Sequence, residues 1–500
     1  MKYGKIFLLA VIAGLVLASC KSSEEDPSLS KGAVPLQFSV NGVAYNIESA
    51  ASDTLDLLTL STEFDAKVTV NGHGSFRSLS VNGIPVQNGK VSVPVDSISK
   101  KNYLVLQGIT NSGDSFVVYL RTLHSDVPEA AASGTATSHG EFYLSFVNIR
   151  LIEKLDSTGK ILFYRYDPIP VNKIDSSKCP GWWDFKKHVV DDTVFYSYHA
   201  PDQKFYNRGF PGYNPGMRIV LDSHYNPIDT FQLLAAEDKT AKDVVIHNGD
   251  PIDGHDFYMF NRSHYIMSSY IKRLLPGTID SVYAAYLQEV DRGKVVFDWW
   301  STSDTLMKYW LDPAFKPDSG QLDDYVHFNS IDLLPDNNLL CSFRHVSSVL
   351  KIERANGTGK VLWRIAGAEL KNGSDFHGQH YVRYHGEDSS ITLFDNGNIP
   401  AGGDSVTKML RFKVDLKSGK VSASRNLLPD SSSYFTQACG SLSFSGKNMV
   451  VGWGIPGREK DSNRILSEFD SSGVEVFSLR RRENTKINLY LGSYRSVKYE

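Results

Sequence analysis

Three histidines lead into β-type runs at matching places in this 500-residue chain. They lie in Gly254-His255-Asp256-Phe257, His327-Phe328-Asn329-Ser330 and Gly378-Gln379-His380-Tyr381. Each precedes the glycine of a hairpin turn (Gly293, Gly359, Gly419) by 32 to 39 residues. An imidazole with an ordinary pKa of about 6.5 can attack as a nucleophile, carry a proton or bind a metal near neutral pH. Arg344, in Ser342-Phe343-Arg344-His345, adds a permanent charge on a planar fork that suits two oxygens of an anion. Asn329 adds an amide donor. One histidine at such a place is ordinarily a scaffold residue, but three in one register suggest a shared site. A three-histidine metal site is the competing reading. Against it, Arg344 and Asn329 suit an anion, and Asp256 alone is placed to neutralise a cation.

The register comes from a turn that returns six times. Its copies are Asp156-Ser-Thr-Gly159-Lys160, the degenerate Asp222-Ser-His-Tyr-Asn-Pro227, Asp291-Arg-Gly293-Lys294, Asn356-Gly-Thr-Gly359-Lys360, Asp415-Leu-Lys-Ser-Gly419-Lys420 and Asp470-Ser-Ser-Gly473. They recur every 54 to 68 residues, and each parts two β-type runs. A repeat of this length built from strands predicts propeller blades, whose innermost strands line one channel. The expected fold is all-β: a six-bladed β-propeller over 141–500, after an immunoglobulin-like β-sandwich over 31–127 and a small-residue linker over 128–140. Asn41-Gly42, Asn71-Gly72, Asn82-Gly83 and Asn88-Gly89 mark hairpins of the sandwich. The first blade is short of strands, and the run Ile487–Tyr499 is expected to complete it and close the ring.

Composition narrows the function further. The net charge is −3, so there is no basic footprint for nucleic acid. No helical period is sustained. Gly357-Thr-Gly-Lys360 lacks the frame of a phosphate loop and sits in a repeat hairpin, so no nucleotide site is expected there. Residues 1–19 read as a signal peptide, with Lys2 and Lys5 before an apolar run from Ile6 to Leu17 that is too short for a membrane span. Leu17-Ala18-Ser19-Cys20 resembles a bacterial lipobox, which implies lipidation of Cys20 and a tether over 20–30. Lys21 in place of an aspartate points to the outer membrane of a Gram-negative cell, facing the periplasm or the cell surface. Beyond Cys20, Cys179, Cys341 and Cys439 allow at most one disulfide.

Taken in order, the H-D segment at His255, the H-x-N-S segment at His327, the S-x-R-H segment at Arg344 and Gln379-His380 followed by Phe394-Asp395-Asn396-Gly397 resemble the bacterial arylsulfate sulfotransferases. That family has an exported six-bladed propeller behind a small β-domain. The resemblance covers nearly the whole mature chain and implies sulfuryl transfer from a phenol ester to another phenol, with no nucleotide donor and no cofactor. It implies His380 as the nucleophile of a ping-pong reaction, Arg344, His255, His327 and Asn329 as donors to the sulfonate oxygens, and one of the two flanking histidines as proton carrier. His377 and His385 crowd His380, so the reacting histidine stays open among the three. The partners implied are a phenolic sulfate donor and a phenol acceptor, with a homodimer as one assembly. A metal- or quinone-dependent propeller enzyme, a sulfatase-like hydrolase and a glycan- or protein-binding lipoprotein propeller remain as alternatives.

Overall fold

The computed structural model describes residues 34–97, 102–128, 130–168, 181–209, 212–237, 244–274, 281–303, 324–370, 375–398, 405–428, 434–457, 463–482 and 492–500. The signal peptide, Cys20, the tether and Cys179 lie outside them. No helix among the described residues is long and apolar enough to cross a membrane.

Alternation builds the N-terminal domain. Val34–Val40 buries Val34, Leu36, Phe38 and Val40 and exposes the residues between, the period of a half-buried strand. It lies in one sheet with Val43–Ala50, Ala66–Val70 and Lys90–Val93. A second sheet holds Ser52–Asp56, Ser115–Arg121, Tyr103–Thr110, Phe76–Val81 and Ile84–Pro85. Leu36, Phe38 and Val68 share one apolar core with Leu104, Phe116 and Val118 of that sheet. Asn41, Asn82 and Asn88 take left-handed φ before their glycines, as two-residue hairpins require.

Beyond it, the described residues form six antiparallel blade sheets, four of four strands and two of five. Their innermost strands are Ser493–Tyr499 (blade one), Trp183–Val190, Phe257–Asn261, Phe328–Leu333, His380–His385 and Ser441–Ser445 (blade six). Each of these strands contacts its neighbours in the next blades, and Ser441–Ser445 meets Ser493–Tyr499, so the ring closes. The fold is a six-bladed β-propeller. Ser493–Tyr499 pairs with Glu141–Phe146, which puts the chain's end at the centre of blade one. All six repeated turns join third to fourth strands. In four of them one aspartate oxygen (Asp156, Asp222, Asp415, Asp470) accepts two backbone N–H groups within the turn, the role an Asx turn gives it.

Two expected boundaries are softer than the sequence suggests. Thr59–Ser61 leaves the sandwich and adds an outer strand to blade one, beside Ile161–Tyr166. Within the supposed linker, Ala130–Gly134 adds an outer strand to blade six, beside Glu475–Arg481. Outermost strands carry unpaired backbone groups, and these additions satisfy them. Only small residues allow so close a seat: a Cβ on Gly134 would lie 2.1 Å from the Val476 carbonyl oxygen.

Candidate active site

His255 and His327 lead into the first strands of blades three and four, and His380 opens that of blade five. His327 has φ 50° and Tyr381, next to His380, has φ 53°. The ladders slip between Phe328 and Ser330 and between His380 and Arg383. Such irregularities bend a strand and re-aim its side chains. Blade six places Cys439, at φ 60°, just before its first strand.

Around the axis, the rings of His255 and His327 are 4.8 Å apart and those of His327 and His345 4.6 Å apart. Trp183 lies 5.4 Å from His255 and stacks on Tyr494 at 4.6 Å. Trp183 therefore forms part of the channel wall. His255, His327 and His380 are 2%, 5% and 3% exposed, so the site is nearly dry. A Cβ on Gly212 would lie 2.3 Å from His327 Cε1, so a blade-two loop seats against this histidine through a glycine at φ +92°.

Each of the three rings has a backing group at Nδ1. His255 Nδ1 lies 2.8 Å from Asp253 Oδ2. His327 Nδ1 bonds Asp324 Oδ2. His380 Nδ1 lies 2.6 Å from Asn396 Oδ1, and the Cys439 N–H points at His380 Nε2 from 3.3 Å. Arg344 follows the second strand of blade four. Its Nη1 is 2.9 Å from His345 Nε2, and its Nη2 donates to the Gln437 carbonyl at 3.1 Å. Burial and then the Arg344 guanidinium hold His380 well below the ordinary imidazole range. Burial, His255 and Arg344 do the same to His327. Both imidazoles are therefore neutral near pH 7.

Of the crowded trio, His380 alone has these contacts. His377 sits 3.7 Å from Asp375, and His385 bonds Thr392 Oγ1 at 2.8 Å. Asn329 is fully buried, and its Nδ2 donates to the Gln379 carbonyl at 2.6 Å, tying blade four to blade five. Asp256 belongs to a buried ion cluster in the channel: it bonds Lys186, Arg383 at 3.0 Å and the Ile331 N–H at 2.9 Å. Asp184 completes the cluster, with Arg218 at 2.6 Å, Lys186 at 3.2 Å and Arg495. Asp253, Asp324 and Asn396 were missed as functional residues in the sequence. Asn396 lies in an Asp-Asn-Gly run that by itself signals only a turn, and two aspartates near histidines carry no signal of their own.

Asp324, His327 and His345 present ligand atoms within 4.8 Å of one another, the one such set among the described residues. They could hold a divalent ion. The Arg344 guanidinium on His345 and the bond between Asp324 and His327 Nδ1 favour an anion at this place instead. Cys341 and Cys439 are both buried.

No curated protein matches the sequence significantly. Among solved structures, the chain is similar to a Bacteroides caccae protein of unknown function (TM-score 0.40, 11% identity, covering 73% of this chain and 100% of that one). It is also similar to a periplasmic gluconolactonase of Pseudomonas aeruginosa (TM-score 0.33, 12%, 71% and 97%) and a virginiamycin B lyase of Staphylococcus aureus (TM-score 0.30, 10%, 70% and 87%). The family model described as arylsulfotransferase (ASST) matches residues 204–481, a stretch that contains His255, His327, Arg344 and His380. With that match over more than half of its length, the chain belongs to the arylsulfotransferase family and is an aryl sulfotransferase enzyme.

Proposed function

We propose that this enzyme moves a sulfuryl group from a phenolic sulfate ester to a phenol through a sulfohistidine at His380, without a nucleotide donor. The observation that carries the reading is His380 itself: a buried, neutral imidazole whose Nδ1 is bonded to Asn396 and at whose Nε2 the Cys439 N–H points. In the first half-reaction Nε2 attacks sulfur. The S–N bond forms as the S–O bond to the aryl group breaks, and the phenol oxygen leaves with the electron pair. Arg344 meets the charge on the sulfonate oxygens, in a transition state that resembles loose phosphoryl transfer. Asp253 supports a proton on His255, which gives it to the leaving oxygen and later takes one from the acceptor. Neutral His327 gives its Nδ1–H to Asp324. Splitting the transfer in two gives ping-pong kinetics.

Asn329 enters this scheme as a brace for the Gln379-His380 backbone, since its amide N–H is already engaged. At the cell level, a lipid on Cys20 would anchor the enzyme at the outer membrane, as the lipobox-like run suggests.

The test follows nitrophenolate release from 4-nitrophenyl sulfate, with and without added phenol and with no nucleotide. Phenol-dependent release that is abolished in His380→Ala is the expected result, together with a mass gain of one sulfuryl group on the His380 peptide. Release without phenol would identify a hydrolase. Activity that needs an added transition metal, or that survives His380→Ala, would overturn the reading.

A further inference from the structure

The three channel histidines differ in what backs them. Carboxylates stand behind His255 and His327, namely Asp253 and Asp324. An amide, Asn396, stands behind His380. Asn396 follows the second strand of blade five and is fully buried. Its orientation follows from its other partners. Asn396 Nδ2 lies 3.1 Å from the Thr436 carbonyl and 3.1 Å from the Cys439 carbonyl. Carbonyl oxygens only accept, so the NH2 end must face them. Oδ1 is then left for His380, and it too only accepts. The proton of the neutral ring must therefore sit on Nδ1, and Nε2 must carry the lone pair. A second contact agrees independently, because the Cys439 N–H points at Nε2 and needs an acceptor there.

We propose that Asn396 and the Cys439 N–H select the nucleophilic tautomer of His380, and that amide in place of carboxylate at this position separates the nucleophile from the proton carrier His255. The proposal rests on the reading of His380 as nucleophile. A carboxylate would favour the imidazolium and keep a proton on the ring. An amide orients the ring while leaving it neutral. Arg344, His327 and His255, the charged or titratable groups facing His380, push the same way. During transfer Nδ1 keeps its proton and its bond to Asn396. Once Nε2 is bonded to sulfur it accepts no hydrogen bond, which frees the Cys439 N–H for a sulfonate oxygen. Asn396 is thus a positioning residue: it acts through His380 and through the backbone of residues 436–439.

The tautomer can be read directly. In purified protein labelled with 15N-histidine and free of substrate, the His380 ring, assigned by its loss in His380→Gln, should show a protonated Nδ1 and a bare Nε2 at pH 7. A protonated Nε2 would overturn the proposal whatever the turnover. This spectrum stands even if no aryl sulfate reacts, so it separates failure of the tautomer proposal from failure of the functional reading. In kinetics, Asn396→Ala is expected to lower kcat by roughly 10²–10⁴-fold, the range of a histidine in the wrong tautomer, with donor KM within about threefold. Asn396→Asp keeps an acceptor on Nδ1. It also sets its second oxygen against the Thr436 and Cys439 carbonyls, and is expected to show His380 protonated at pH 7 and to lose kcat. Wild-type kcat and an unchanged ring spectrum in Asn396→Asp would sink the idea.

Discussion

At the scale of single residues, burial decides the chemistry. Imidazoles are abundant in this chain, and burial in a dry channel beside Arg344 holds His380 and His327 well below the ordinary imidazole range. The same force acts on Glu153, in the third strand of blade one. It shares a face with Leu151 and Leu155, both part of the core between sandwich and propeller. Burial pushes its carboxyl up to about 8. A folded pKa above the unfolded one means that this group's contribution is fully present below about pH 4.5 and is lost as pH rises through about 8. Each unit of pKa difference is worth about 1.4 kcal/mol. Glu153→Gln is therefore expected to raise Tm above pH 8 and to leave it nearly unchanged at pH 5. Equal changes at both pH values would rule out this account.

At the scale of elements, the strands and turns do separate work. Third-to-fourth-strand turns set the outer edge of every blade, far from the chemistry, while the irregular starts of the innermost strands aim the catalytic groups. The turn aspartates should matter for stability and little for rate. Asp222 accepts N–H groups from His224 at 2.8 Å and Asn226 at 2.9 Å. Asp222→Ala is expected to lower stability by about 1–2 kcal/mol with kcat for sulfuryl transfer unchanged, as read by denaturant titration beside the nitrophenyl assay. The histidine register was legible in the sequence because the turns recur at nearly fixed spacing. Asn396 was not, because an Asp-Asn-Gly run signals a turn whether or not its amide meets an imidazole fifteen or so residues away in sequence.

For the whole molecule, the ring is closed by the chain's last strand, and that strand also carries a channel ion. Arg495 bonds Asp184, lies 3.3 Å from Asp256 and donates to the Asn329 carbonyl at 2.7 Å. It thereby joins blades one, two, three and four. Burial alone would raise both carboxyls. For Asp184 the neighbouring Lys186, Arg495 and Arg218 reverse this, and for Asp256 Arg383, Lys186 and Arg495 do, so both stay ionised. Removing one member of such a cluster leaves a buried charge undercompensated, at about 3–5 kcal/mol. Arg495→Ala is expected to lower Tm and to speed amide exchange in Glu141–Phe146, the strand paired with the closing one. Unchanged exchange there would mean that the cluster does not fasten the ring.

Local pattern was enough for the sandwich hairpins at Asn41, Asn82 and Asn88 (Asn71-Gly72 instead leads through His73–Ser75 into the other sheet), the six repeats, the closing role of the C-terminal run and the register of His255, His327 and His380. These follow from periods of two residues and of one blade, and both are written along the chain. Tertiary structure alone decided which groups meet across blades: Asn396 behind His380, Asp253 and Asp324 behind the other two, Trp183 on Tyr494, and Asp256 drawn into an ion cluster. It also turned part of the presumed linker into a blade strand. The physical reason is that partners of a buried polar group are chosen by closure of the ring and by the need to satisfy every donor and acceptor away from water, and neither constraint leaves a spacing to read.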